Sequence, residues 1–121
     1  MPQSHTITIK STLNAGGQRT GYHYDPPQLP ANLKDPNTAV VPDDEVIWKN
    51  ADTQAHWPAV TGAKKQVVPN QFMPNQIAPN SSSTAWIVDK GSVGTLTYFD
   101  CNDTAPNRPT GTIVITTLAQ S

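Results

Sequence analysis

His5-Thr6-Ile7-Thr8-Ile9-Lys10 is the stretch that decides the fold class. His5, Ile7 and Ile9 alternate with Thr6, Thr8 and Lys10, the period of two that a strand buried on one face requires. A helix would need apolar residues three and four apart instead. The alternation returns in Glu45 to Asn50, where Val46 and Trp48 interleave with Ile47 and Lys49 behind a turn at Pro42-Asp43-Asp44. Short β-branched or aromatic runs occupy Thr84 to Asp89, Val93 to Phe99 and Gly111 to Thr117, and weaker ones Thr20 to Tyr24, Thr38 to Val41, Ala55 to Val60 and Gln66 to Val68. The 12 prolines and 7 glycines leave no uninterrupted amphipathic stretch long enough for an ordinary helix. The pattern predicts an all-β protein, a sandwich or barrel of eight or nine strands. Ile7, Ile9, Val46, Trp48, Ile87, Leu96, Tyr98, Ile113 and Ile115 are its expected core.

Two stretches resist strand assignment. Asp25 to Asn37 holds Pro26, Pro27, Pro30 and Pro36 and reads as an extended edge segment or ordered loop. Pro69 to Ser83, with Pro69, Pro74, Pro79 and three consecutive serines, reads as loop or short turn. Neither stretch looks like a linker, so residues 1–121 are expected to form a single domain, which their number also suits.

Composition narrows the function. Val, Ile, Leu and Phe make up only about a fifth of the chain, a disorder signal when net charge is high. Here 8 basic residues face 9 acidic ones for a net charge of -1, with no basic cluster to attract nucleic acid. No apolar run approaches the roughly 20 residues of a membrane-spanning helix, so no membrane insertion is expected. Met1-Pro2-Gln3-Ser4 leads straight into the first strand with no visible secretory signal. A single Cys cannot form an internal disulfide, which leaves Cys101 as a buried thiol, a reactive thiol, an intermolecular partner or a metal ligand.

The segment Asp43-Asp44-Glu45-Val46-Ile47-Trp48-Lys49-Asn50-Ala51-Asp52-Thr53-Gln54-Ala55-His56 resembles a signature of the cupredoxin (blue-copper, plastocyanin-like) family: a turn, a strand ending in Asn-x-Asp, then a His. Gly94 to Cys101 resembles that family's strand running through an aromatic residue into a ligand Cys, and Gly111-Thr112-Ile113-Val114-Ile115 its closing strand. Tyr24-Asp25-Pro26-Pro27-Gln28-Leu29 is similar to an early aromatic and proline stretch. The resemblance covers essentially the whole chain in order and implies an all-β, Greek-key antiparallel sandwich of the cupredoxin type with about eight strands, exported to the periplasm or outside the cell.

It also implies His56 and Cys101 as metal ligands. A type 1 copper site holds its ion among two His and one Cys with a weak axial ligand. The loop Asn102-Asp103-Thr104-Ala105-Pro106-Asn107-Arg108-Pro109-Thr110 has no His and no Met. Thr104 falls at the vacated second-His position and Pro109 or Thr110 near the axial one. His23, between Tyr22 and Tyr24, should point outward, and Met73 lies in a long loop that the family does not use for copper. Asp100 and Asp103 could join His56 on a harder metal but are more ordinarily turn formers.

The expectation is therefore a non-redox binding or structural module with a degenerate copper site. The alternative is a copper-binding or electron-transfer protein with non-standard coordination built on His56 and Cys101. As an enzyme, Cys101 and His56 would need an oriented base and an oxyanion hole that the sequence does not mark, so no enzyme is expected. A protein partner is expected at the end of the sandwich near Trp57. Thr104→His is expected to restore a three-ligand plane.

Overall fold

A computed structural model describes residues 3–60, 70–105 and 107–117. Ten strands form among them: β1 (Ser4–Leu13), β2 (Arg19–Asp25), β3 (Gln28–Leu29), β4 (Glu45–Asn50), β5 (Pro58–Val60), β6 (Asn70–Gln71), β7 (Ser81–Ser82), β8 (Trp86–Ile87), β9 (Gly94–Asp100) and β10 (Thr110–Ile115). Among the described residues the helical segments are two three-residue 3-10 turns, Pro36–Thr38 and Lys90–Ser92, and no helix is long and apolar enough to cross a membrane.

One sheet runs β2-β1-β4-β7, with β8 also paired to β4, and the other runs β3-β10-β9-β5-β6. Both are mixed. β1 lies parallel to β4 and β3 parallel to β10, whereas the other pairs are antiparallel. The sandwich is as expected; the two parallel pairs depart from the wholly antiparallel form. After β2 the chain crosses to the other sheet as β3 and returns beside β1 running in the same direction.

Several boundaries also differ from the alternation. Thr84 to Asp89 contributes only Trp86–Ile87, and Thr38 to Val41 only a bridge from Val40 to Ile115. The proline-rich stretches supply the two-residue strands β3, β6 and β7 at the sheet margins. The expected strand Gln66 to Val68 lies outside the described residues.

Ile7, Ile9, Val46, Trp48, Tyr98, Ile113 and Ile115 are buried as expected, and Leu96 packs half-buried against them. Ile87 is a correction: it is 55% exposed while Val88 is fully buried, because the inward positions beside β4 are Trp86 and Val88. Trp48 stacks on Phe72 at 4.5 Å and meets Tyr98 edge-on at 5.6 Å, and Tyr98 in turn packs on Tyr24. Tyr98 lies over its cross-strand partner Gly111, where a Cβ would come within 2.1 Å of the ring, so the glycine that opens the closing strand is a packing requirement.

The parity of each long strand continues past its apolar centre. On β1 the inward series is His5, Ile7, Ile9, Ser11; on β4 it is Val46, Trp48, Asn50; on β9 it is Leu96, Tyr98, Asp100. Three polar residues, Ser11, Asn50 and Asp100, thereby arrive at one end of the sandwich.

Candidate functional site

Asn50 shapes this end. Its buried side chain donates from Nδ2 to the carbonyls of Gln54 (2.8 Å) and Ile77 (2.9 Å), and its Oδ1 accepts from the backbone N–H of Asp52 (2.9 Å). An Asn closing a turn on its own neighbouring backbone is a common loop device. Here it fixes the segment between β4 and β5 so that Asp52 and His56 both point inward, and His56 is pinned further by paired backbone bonds with Ile77.

His56 is 1% exposed and stands between two carboxylates. Its Nε2 lies 2.6 Å from Asp52 Oδ2 and its Nδ1 2.6 Å from Asp100 Oδ2. Ionised carboxylates only accept, so a ring bonded to both donates from both nitrogens and carries a positive charge. Burial opposes that charge, but Asp100 and then Asp52 outweigh it and raise the pKa of His56 above the ordinary value of 6.5. The Tyr22 ring covers the imidazole at a centroid distance of 4.2 Å.

Each carboxylate has further donors. Arg19 reaches Asp52 through Nε at 2.7 Å and Nη2 at 2.6 Å, and the Ser11 hydroxyl donates to Asp52 Oδ1 at 2.5 Å. Burial works against the charge of Asp52, but the bonds from Arg19, Ser11 and His56 hold its carboxyl well below the carboxylate range. Asp100 Oδ1 accepts from the backbone N–H groups of Trp57 and Asn102, each at 2.9 Å. With His56 these overcome its burial and lower its pKa as well. Arg19, Asp52, His56 and Asp100 together balance two positive charges against two negative ones. They tie β2 and the segment after β4 to β9 in the other sheet.

The structure brings His56 and Cys101 to neighbouring strand ends. Pro58 pairs with Asp100, and the Cys101 backbone N–H donates to the Trp57 carbonyl at 3.0 Å. Cys101 is half-buried. Thr104 is exposed on the following loop. That loop is held by Asp103, whose carboxylate accepts from the Tyr22 hydroxyl at 2.6 Å, and by Arg108, which donates to the Asp103 carbonyl and lies 3.9 Å over the Phe99 ring. A cleft of about 280 Å³ opens beside His56 and Asp100, lined also by Arg19, Tyr22, Gln54 and Asn102.

His23 is exposed and bonded to Thr12, as its position between two inward tyrosines requires. Met73 is buried in the core, and its carbonyl accepts the indole N–H of the half-buried Trp57 at 3.0 Å. Among the described residues, no three His, Cys, Asp or Glu side chains are arranged to hold one metal ion. The two carboxylates on His56 face opposite ring nitrogens, so they do not converge on a common point.

Sequence reasoning gave Asp52 and Arg19 no role. Asp52 was visible within the Asn-x-Asp motif. Arg19 carries no local signal, since its partner is 33 positions away. Asp100 could have been read as inward from its shared parity with Leu96 and Tyr98.

No protein-family profile matches the sequence, and no curated protein matches it. Solved structures do match its fold. An oxidised mutant of amicyanin superposes with a TM-score of 0.58 at 14% identity, covering 93% of this chain and 81% of the other. A reduced Cu(I) form of another amicyanin mutant gives 0.56 at 13% identity over 95% and 84%, and amicyanin from Paracoccus versutus gives 0.56 at 13% over 93% and 80%. The fold is cupredoxin-like.

Proposed function

We propose that this chain is a non-redox binding or structural module on a cupredoxin-like fold, with a degenerate copper site at the end that carries His56 and Cys101. The observation that carries the reading is the engagement of both His56 ring nitrogens by carboxylates at 2.6 Å. A metal-bound imidazole must be neutral, with one nitrogen's lone pair on the ion. The donor set does not fit type 1 copper: one ring is held as a cation, Thr104 stands at the second-His position, and the loop lacks an axial thioether.

In place of an ion, the Arg19–Asp52–His56–Asp100 network links the two sheets. Resemblance to the cupredoxins further supports export to the periplasm or extracellular space and a non-enzymatic role, with a protein partner meeting the sandwich end around Trp57. Two features favour the alternative of copper held in non-standard coordination: Cys101 is half-buried, and its backbone is bonded to Trp57 next to His56.

Cu(II) titration of the purified protein decides between them. The proposed reading expects no intense visible absorption from a thiolate–copper bond at one equivalent of metal. A strong charge-transfer band, lost in His56→Ala and in Cys101→Ser, would establish the alternative.

A further inference from the structure

A histidine that holds a metal through one ring nitrogen usually donates from the other to a carboxylate, carbonyl or water, which fixes the ring's orientation. Asp52 already stands in that relation to Nε2 of His56 and is itself locked by Arg19 and Ser11. Withdrawing Asp52 would strand the guanidinium that it neutralises. Asp100 occupies the opposite nitrogen, Nδ1, and lies directly before Cys101 on the same strand end. Its other oxygen is fixed by the backbone of Trp57 and Asn102, so the turn that delivers the thiol also delivers the carboxylate.

We propose that Asp100 is the specificity-determining residue that keeps metal off His56, by placing Oδ2 on the one ring nitrogen that Asp52 leaves open. The inference deepens the reading of this end as a degenerate metal centre and rests on it. An ion approaching His56 and Cys101 has to displace the 2.6 Å bond at Nδ1, and a donor added at position 104 leaves that bond in place. Restoring the vacated ligand by Thr104→His alone is therefore insufficient. Asp100 must also be neutralised, after which the Asp52–His56 pair becomes the carboxylate–histidine arrangement found behind bound metals.

Cu(II) titration of the full chain tests this in four proteins: the parent, Thr104→His, Asp100→Asn/Thr104→His and Asp52→Asn/Thr104→His, each first shown to be folded by its amide NMR spectrum. The Asp52 variant removes the same charge from the same histidine and so controls for electrostatics. The expected result is a thiolate–copper band in the Asp100 double variant, with affinity at least about tenfold above that of the other three proteins. A band in Thr104→His with Asp100 intact overturns the proposal, as does an equal gain in the Asp52 double variant. Asp100→Ser/Thr104→His is measured in parallel. If neither Asp100 variant folds, or if one folds and binds no better than Thr104→His, Asp100 is structural and the proposal fails while the non-redox reading stands. A band in the parent removes the non-redox reading itself.

Discussion

The inner face of β1 carries a polar residue to each end of the sandwich, and each meets a buried aspartate in a different way. At the first end, His5 contacts Asp44 at 2.9 Å, and the Asp44 carboxylate also accepts from the backbone N–H groups of Gln3 (2.8 Å) and Val41 (3.1 Å). Asp44 follows Asp43, whose left-handed φ of 78° makes the turn into β4. This carboxylate is served mainly by main chain and closes a turn. At the second end, Ser11, Arg19 and His56 all reach Asp52 with side chains, and His56 passes the connection on to Asp100 in the opposite sheet. One end trims a backbone turn; the other joins two sheets through a histidine that bridges two carboxylates.

The end that joins the sheets should be the more costly one to disturb. His56→Ala leaves two buried carboxylates facing each other without the cation between them, and losing one member of a buried charged group commonly costs about 3–5 kcal/mol. His5→Ala leaves Asp44 its backbone donors and should cost about 1–3 kcal/mol, the range for one buried hydrogen-bonding partner. Urea denaturation of the two variants measures both losses. Equal losses would erase the distinction between the ends.

A smaller difference between the two ends should show in the pH dependence of stability. Asp52 and Asp100 titrate lower in the folded protein than in the unfolded chain. Their contribution is therefore present above the ordinary carboxyl value of 3.8 and disappears as pH falls through the depressed values. His56 titrates higher when folded, so its contribution is complete below the ordinary 6.5 and is lost as pH rises through the raised value. Stability should peak between those two ordinary values and decline on the alkaline side. In His56→Gln the alkaline decline should be absent, and in His5→Gln it should persist. Thermal midpoints across the pH range read this directly, and an unchanged alkaline decline in His56→Gln would assign it to another group.

Much of the fold was legible because alternation is a local signal. Ile7, Ile9, Val46, Trp48, Ile113 and Ile115 face inward as their parity requires. Parity failed at Ile87 because the strand there is two residues long and its neighbours Trp86 and Val88 take the inward positions. The parallel pairing of β1 with β4 and of β3 with β10 was not legible, since alternation specifies a face and not a direction. At the candidate site, the family resemblance implied His56 and Cys101 as ligands and Thr104 at the vacated second-His position. What it missed was the chemistry that closes the end: Asp100 is inward by the same parity as Tyr98, whereas Arg19 depends on a pairing across 33 residues that no local pattern encodes.

His56 is a cation held from both sides, and its imidazole nitrogens report this without any metal. Long-range proton–nitrogen NMR correlations of the uniformly labelled protein at neutral pH distinguish a doubly protonated ring from either neutral tautomer. His56 is expected to show two protonated nitrogens and to keep them at pH values where an ordinary histidine is neutral. A neutral His56 with one bare nitrogen at neutral pH would contradict it, because a ring with an available lone pair is open to metal.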